Sequence, residues 1–386
     1  MIRPGGRARL GVSLMFLTNG VLFSTLLPRY PEIKDTFGLS ATSFGFTAAA
    51  TLFGSVFASA IPAPLIRRFG ARRVAAASSL AIAALVFIAG IAPAHWLLVA
   101  ALFLAGFCDS VTDAAQNVQG VRVQRYLGKT IINSLHATWS AGATLGGLIG
   151  AGFAALAVPL GVHLGITGAV CAATVVWAAH AAYVPEAPPT EAAGGSTRVG
   201  GAAVRALAPL VIISIAGMMF EDAAGNWAAL YLRDGYAAPI GLAGLGFAFF
   251  IAAQFAGRLS GDALTDRFGR VPVARAGSLL VAAGFGVATL APNPWLVLAG
   301  FAATGFGCAT LIPAAFVASS EIPGVSESTG ITILGWLMRL SLLSSPTIGI
   351  VADATSLRTA LLVPFAAAVL ATALSGRLRP GHRDRT

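Results

Sequence analysis

Apolar runs of about 20 residues recur along the whole chain with short polar breaks between them. That is the length at which an α-helix crosses roughly 30 Å of hydrocarbon. Twelve runs can be drawn, over 9–28, 43–66, 74–92, 96–120, 131–155, 160–184, 206–232, 240–264, 271–291, 294–319, 329–352 and 357–376. The pattern predicts an all-α integral membrane protein with 12 transmembrane helices in two pseudo-symmetric sets of six. The stretch PEAPPTEAAGGSTRVGGAAVR, residues 185–205, divides six runs from six and reads as a flexible linker. The expected organisation is an N-terminal half, 1–184, the linker 185–205, and a C-terminal half, 206–386, ending in a short basic tail.

Composition agrees with a membrane protein. Of 386 residues, 56% are hydrophobic and 10% charged, against about 25% charged in soluble domains. A net charge of +10 raises the question of nucleic acid, and the placement of the bases argues against it. With the N-terminus inside, 19 of the 25 Lys and Arg fall in inner segments, among them Arg67, Arg68, Arg72, Arg73, Arg122, Arg125 and Lys129. Four fall outside (Arg29, Lys34, Arg233, Arg358) and two within spans (Arg258, Arg339). This positive-inside bias predicts a multi-pass membrane protein with both termini cytoplasmic. The expected partners are the lipid bilayer and a small-molecule substrate, with no nucleic acid, and the expected state is monomeric. Cys108, Cys171 and Cys308 all lie within predicted spans and indicate neither a disulfide framework nor a metal site.

The halves echo one another. Arg68-Phe69-Gly70 after span 2 and Arg267-Phe268-Gly269 after span 8 are 199 residues apart, and so are the Gly-Phe pairs at 106 and 305. A constant offset in matching spans is the trace of a parallel repeat, which places a substrate site near midplane between the repeats.

With that duplication the chain resembles the major facilitator superfamily of secondary transporters, over essentially its full length. Gly261, Asp262, Asp266, Arg267, Gly269 and Arg270 after span 8 are similar to that superfamily's hallmark gating loop. The loop after span 2 keeps Arg68 and Gly70 but has Arg67 where the hallmark acid belongs and Ala71 where an arginine does. RYPEIKDTFGLS (29–40), DAAQN (113–117), HATWSAGATLGG (136–147) and EDAAGNWAALYLRD (221–234) resemble a bacterial branch near the fucose-permease-like sugar symporters, which implies a bacterial inner (cytoplasmic) membrane. Asn226 and Gln124 stand where that branch more often carries acids.

Ionisable groups at membrane depth cost about 2.5–3.5 kcal/mol each, so they normally face the bundle interior or a water-filled path. At about 100° per residue, Gly106, Asp109, Asp113, Gln116, Asn117 and Gly120 fall on one stripe of span 4. Span 5 carries Asn133, His136, Ser140 and Thr144 on one face. Asp113 and His136 lie at similar depth, and a buried pair of this kind either carries a coupling proton or only fixes two helices. Asp109, nearer midplane, is the candidate for contact with substrate or proton. In span 7, Glu221, Asp222, Gly225 and Asn226 share one side, with Trp227 and Tyr231 following, and carboxylates beside aromatics suit a polyol or a cationic solute. Arg339, near the middle of span 11, is either the counter-charge of Asp109 or Glu221 or the clamp of an anionic substrate, with Trp336 beside it. Asn19 and Gln254 line the cavity or tie helices together, and Arg258 with Asp262 forms an i, i+4 pair.

No HExxH, GxSxG or GxxxxGK[ST] motif occurs, so neither hydrolysis nor ATP-driven transport is indicated. The expected function is secondary active transport of a small polar, sugar-like solute without a cofactor or metal. Proton coupling is expected through Asp109, Asp113, His136 and Glu221. The alternatives are a drug or metabolite exporter of the same fold and, from another class, a membrane sensor or intramembrane enzyme.

Overall fold

The computed structural model describes residues 4–128, 131–185, 201–322, 325 and 327–379, and among these there is helix and no strand. Most of the linker, 186–200, and the side chain of Asp262 lie outside the described residues. Among the described residues, ten helices are long and apolar enough to cross a membrane, and a bent pair brings the number to eleven. The twelfth expected span is the 24-residue helix Ile132–Ala155. Its polar residues and its five glycines between 142 and 152 dilute its mean hydropathy, but it packs against span 1 as the others pack.

Among the described residues, spans 2, 7, 10 and 11 are interrupted by prolines or irregular turns. Span 2 runs as Ala41–Phe57, breaks, and continues as Pro62–Phe69 at 59° to the first part. Pro62 and Pro64 each remove an amide that an unbroken helix would use, and Pro62 opens the new segment. Span 10 breaks between Pro294–Cys308 and Leu311–Ser320, where Pro313 leaves the carbonyl of Ala309 without its helical donor. Span 11 tightens to a 3-10 turn over Met338–Leu343 ahead of Pro346. Span 7 widens to a π-turn over Ala223–Trp227 between Gly201–Asp222 and Ala228–Tyr236.

The chain forms two compact units, Met1–Pro189 with Ala237–Ala248, and Thr190–Tyr236 with Phe249–Thr386. Within the first, span 1 packs on spans 4, 5 and 6, and span 3 on spans 4 and 6. Within the second, span 7 packs on spans 10, 11 and 12, and span 9 on spans 10 and 12. The neighbour scheme is thus the same in both. The repeat also holds in detail. Helices begin at Ala71 and Arg270, and at His95 and Pro294, each pair 199 residues apart. The glycines that precede Ala71 and Arg270 adopt φ of 83° and 84°, a conformation that side chains disfavour. Gly106 and Gly305 mark equivalent helix crossings: a Cβ on Gly106 would land on the carbonyl of Thr51, and one on Gly305 on that of Phe250. Thr51 and Phe250 are again 199 apart.

The core of the first unit joins Val12, Met15 and Phe16 of span 1 to Val111 and Ala115 of span 4 and Leu135 of span 5. In the second unit Phe285 of span 9 stands 5.9 Å from Phe220 of span 7 and 6.2 Å from Phe301 of span 10, ring centre to ring centre.

Candidate functional site

Each unit places a carboxylate in the middle of a span, and the surroundings of the two differ. In the first unit Asp109 lies 14 residues into the helix His95–Leu127. Its Oδ1 accepts from Nδ2 of Asn19 at 2.7 Å, and Oδ1 of Asn19 accepts from Nε1 of Trp139 at 2.7 Å. A single relay therefore ties spans 5, 1 and 4 together and ends on the carboxylate. Asn19 is buried, at 3% exposure, so the amide positions Asp109 and does not itself present to a cavity. Next to the relay the ring of Phe23 lies 5.6 Å from that of Trp139, and Phe23 is 46% exposed.

Asp113, one turn on, is exposed and accepts from Nδ2 of Asn117 at 3.0 Å. His136 is exposed as well, its ring edge-on to Phe16 at 5.4 Å. The expectation of a buried Asp113 and His136 is thus corrected: both side chains stand at the surface of their unit. Gln116 is corrected in the opposite sense. It is fully buried, and neither of its amide atoms has a hydrogen-bond partner among the described residues. It sits on the Thr112 edge of the stripe, where Thr112 already donates to Ser78 of span 3 at 2.7 Å. Further along, Leu135, Ile132 and Phe16 crowd Gly120. Helical spacing gives a direction and not the neighbour that covers it, so the lower part of the stripe is packed over. Ser140 is also fully buried, donating to the carbonyl of His136 at 3.2 Å, and does not line a cavity.

In the second unit Glu221 and Asp222 are adjacent, at the point where span 7 widens, and face different partners. Oε1 of Glu221 accepts from Nε2 of Gln254 at 2.7 Å and lies 3.4 Å from Nη2 of Arg258. Gln254 is 1% exposed and also reaches Sγ of Cys308 at 3.4 Å, so it ties spans 7, 8 and 10 together and does not line a cavity. Cys308 is the repeat position of Asp109, 199 residues on. The basic partner of Glu221 is Arg258 and not Arg339, because the same face of span 8 carries Gln254 and, one turn later, Arg258. Arg258 therefore reaches across to span 7, and its expected partner along its own helix, the side chain of Asp262, lies outside the described residues.

Asp222 is enclosed by donors. Oδ2 accepts from the hydroxyls of Ser344 and Ser345 at 2.6 Å each, and Oδ1 from Nδ2 of Asn226 at 2.6 Å. Ser345 in turn accepts from Asn226 at 2.9 Å and from Nε1 of Trp227 at 3.1 Å. The π-turn of span 7 and the irregular part of span 11 meet at this network. Trp227 is 1% exposed, which corrects its expected place in the cavity. One extra residue in the turn rotates the rest of the helix about its axis, so the indole turns inward to Ser345. Arg339 is partly buried within the 3-10 turn and Trp336 is 61% exposed one turn before it.

Of the loop residues, Gly70 and Gly269 cap their helices as mirror positions of the repeat. Arg68 and Arg267 each lie over the following phenylalanine at 5.2 Å. Arg270 binds Glu321 at 2.6 Å. Gly261 brings span 8 close to span 10, where a Cβ would stand 2.7 Å from Cγ2 of Thr310. Asp266 is exposed in the last turn of the helix Leu245–Phe268.

Sequence reasoning missed Trp139, Phe23, Ser344 and Ser345. Trp139 lies three residues after His136 on a span read for its polar face, and SSP at 344–346 was a visible pair of hydroxyls before a helix-disrupting proline.

A family model described as Major Facilitator Superfamily matches residues 12–262. An uncharacterized transporter, y4wD, of Sinorhizobium fredii is 30% identical over 375 residues, covering 96% of this chain and 97% of that protein. An uncharacterized MFS-type transporter of Yersinia pestis is 26% identical, with 93% and 92% covered. Among solved structures, the nucleoside transporter NupG superposes with a TM-score of 0.75 at 16% identity, covering 98% of this chain and 99% of that one.

Proposed function

The chain belongs to the Major Facilitator Superfamily and is a multi-pass membrane transporter of that type, and we propose that it moves a small polar, ring-bearing solute by proton-coupled alternating access. The observation that carries the reading is Asp109. It is a mid-span carboxylate with one amide donor, its second oxygen has no hydrogen-bond partner among the described residues, and an exposed aromatic ring adjoins its relay. Such a group holds a proton or accepts a hydroxyl or amine hydrogen, and the Phe23 and Trp139 rings cover the apolar face of a sugar or a nucleobase. A sugar-like solute accords with the resemblance of residues 113–117 and 136–147 to the fucose-permease-like branch. A nucleoside accords with the name of the structural neighbour NupG. Asp113, His136 and Glu221 extend the proton path in this reading. The distribution of arginines supports a bacterial inner-membrane location with both termini cytoplasmic.

The test is uptake into proteoliposomes under an imposed pH gradient, with sugars and nucleosides first screened by ligand-induced thermal stabilisation. Asp109→Asn is expected to abolish accumulation against a gradient while sparing downhill exchange. Wild-type accumulation by the variant would remove Asp109 from the coupling path.

A further inference from the structure

The loop after span 2 and its repeat after span 8 share a backbone and differ in charge. In the second copy Arg270, just past the turn, is neutralised by Glu321 at 2.6 Å. The positions 199 residues earlier are Ala71 and Arg122, so the acid of that pair has become a base. Between Asp35 and Glu186 the only carboxylates are Asp109 and Asp113, both on span 4. The same stretch holds Arg67, Arg68, Arg72 and Arg73 within seven residues.

The break in span 2 gives those arginines a surface. The segment Pro62–Phe69 leaves the axis of Ala41–Phe57 by 59° and packs Leu65 and Ile66 on the core of its unit. Arg67, Arg68 and Arg73 are exposed, as are Phe57 at 69% and Phe69 at 47%. Arg72 is anchored instead, donating to the carbonyl of Ala179 at 2.9 Å with its guanidinium over Tyr183. Bases flanked by exposed rings at the end of a membrane span match the boundary between headgroups and acyl chains. Setting topology requires positive charge but not this bend, and the second copy carries its bases on an unbroken helix, Leu245–Phe268.

We propose that the outer face of Pro62–Phe69, with Arg73, is a binding site for the headgroups of anionic phospholipids, which supply the negative charge that the repeat obtains from Glu321. The site rests on the membrane-spanning fold and is independent of which solute is moved. Each arginine near an anionic surface contributes about a fivefold change in affinity, so three give about a hundredfold.

The experiment is phospholipid retention by native mass spectrometry of the full-length protein from nanodiscs of phosphatidylcholine and phosphatidylglycerol. The wild type is expected to retain phosphatidylglycerol preferentially, and Arg67→Gln/Arg68→Gln/Arg73→Gln to lose that preference by about a hundredfold. The corresponding triple lysine variant keeps most of it, and Arg377→Gln/Arg379→Gln in the tail leaves it unchanged. Three results would overturn the site: undiminished retention in the glutamine variant, equal loss in the tail variant, or equal protection by inorganic phosphate at matched ionic strength. Thermal unfolding in phosphatidylcholine discs checks that the glutamine variant is folded. If it is not, Arg73→Gln alone carries the test at about fivefold, and no loss from it overturns the site.

Discussion

Asp109 and Asp222 are both partly buried carboxylates in mid-span, one in each unit, and they differ in how many donors surround them. Asp109 accepts one hydrogen bond from a neutral amide. Asp222 accepts three, and the serine that supplies one of them is itself held by Asn226 and Trp227. A carboxylate with three short donors is fixed in one place. A carboxylate with one donor and an unengaged oxygen exchanges a proton or a ligand at little cost to its surroundings. Depth in the membrane therefore does not by itself identify a functional acid. In the function proposed above, the donor count separates the acid assigned to coupling from the one that joins two irregular helices.

The sharpest way to break this comparison is to truncate both acids. Asp222→Ala leaves the hydroxyls of Ser344 and Ser345, at 2% and 1% exposure, without their acceptor and out of reach of water. Each buried donor left without its acceptor costs about 1–3 kcal/mol, and Asn226 loses a bond as well. Asp109→Ala strands one amide hydrogen of Asn19, worth about 1–3 kcal/mol. Thermal unfolding in detergent is therefore expected to fall much further for Asp222→Ala. Equal losses would mean that the two carboxylates play the same structural part.

How far this was legible in the sequence depends on the regularity of the helix. The repeat was readable because the offset of 199 survives in the turn glycines and in the crossing glycines, where backbone geometry tolerates little else. The polar stripe of span 4 was readable as a direction. What could not be read is which neighbour covers that direction: Gln116 shares the stripe with Asp109 but is packed over, and nothing in its spacing distinguishes the two. Trp227 failed for a different reason. A uniform step of 100° per residue does not survive a π-turn, and AAGNW carries a glycine but no proline to announce one. Span 2 lies between these cases, since Pro62 and Pro64 were in plain view while the apolar run continued past them.

Within the Asp222 network the two serines offer a finer comparison. Ser345 donates to Asp222 and accepts from both Asn226 and Trp227, whereas Ser344 donates to Asp222 with no acceptor role in the network. Ser345→Ala strands two donors and is expected to cost about 2–3 kcal/mol, and Ser344→Ala about 1 kcal/mol. The same unfolding assay ranks them. The reverse order would place the centre of the network at Ser344 and detach the π-turn from it.

The smallest effect is expected at the far end of the relay in the first unit. Trp139→Phe keeps an aromatic ring next to Phe23 but removes the Nε1–H that holds Oδ1 of Asn19. The lost bond is worth about 1 kcal/mol in stability. Its consequence for transport is more specific, because an amide released at one end is free to flip and turn its oxygen to Asp109. Accumulation against a gradient is therefore expected to fall in Trp139→Phe while downhill exchange is kept. A variant that loses stability with no change in accumulation would show that Trp139 only packs, and that Asn19 is oriented from elsewhere.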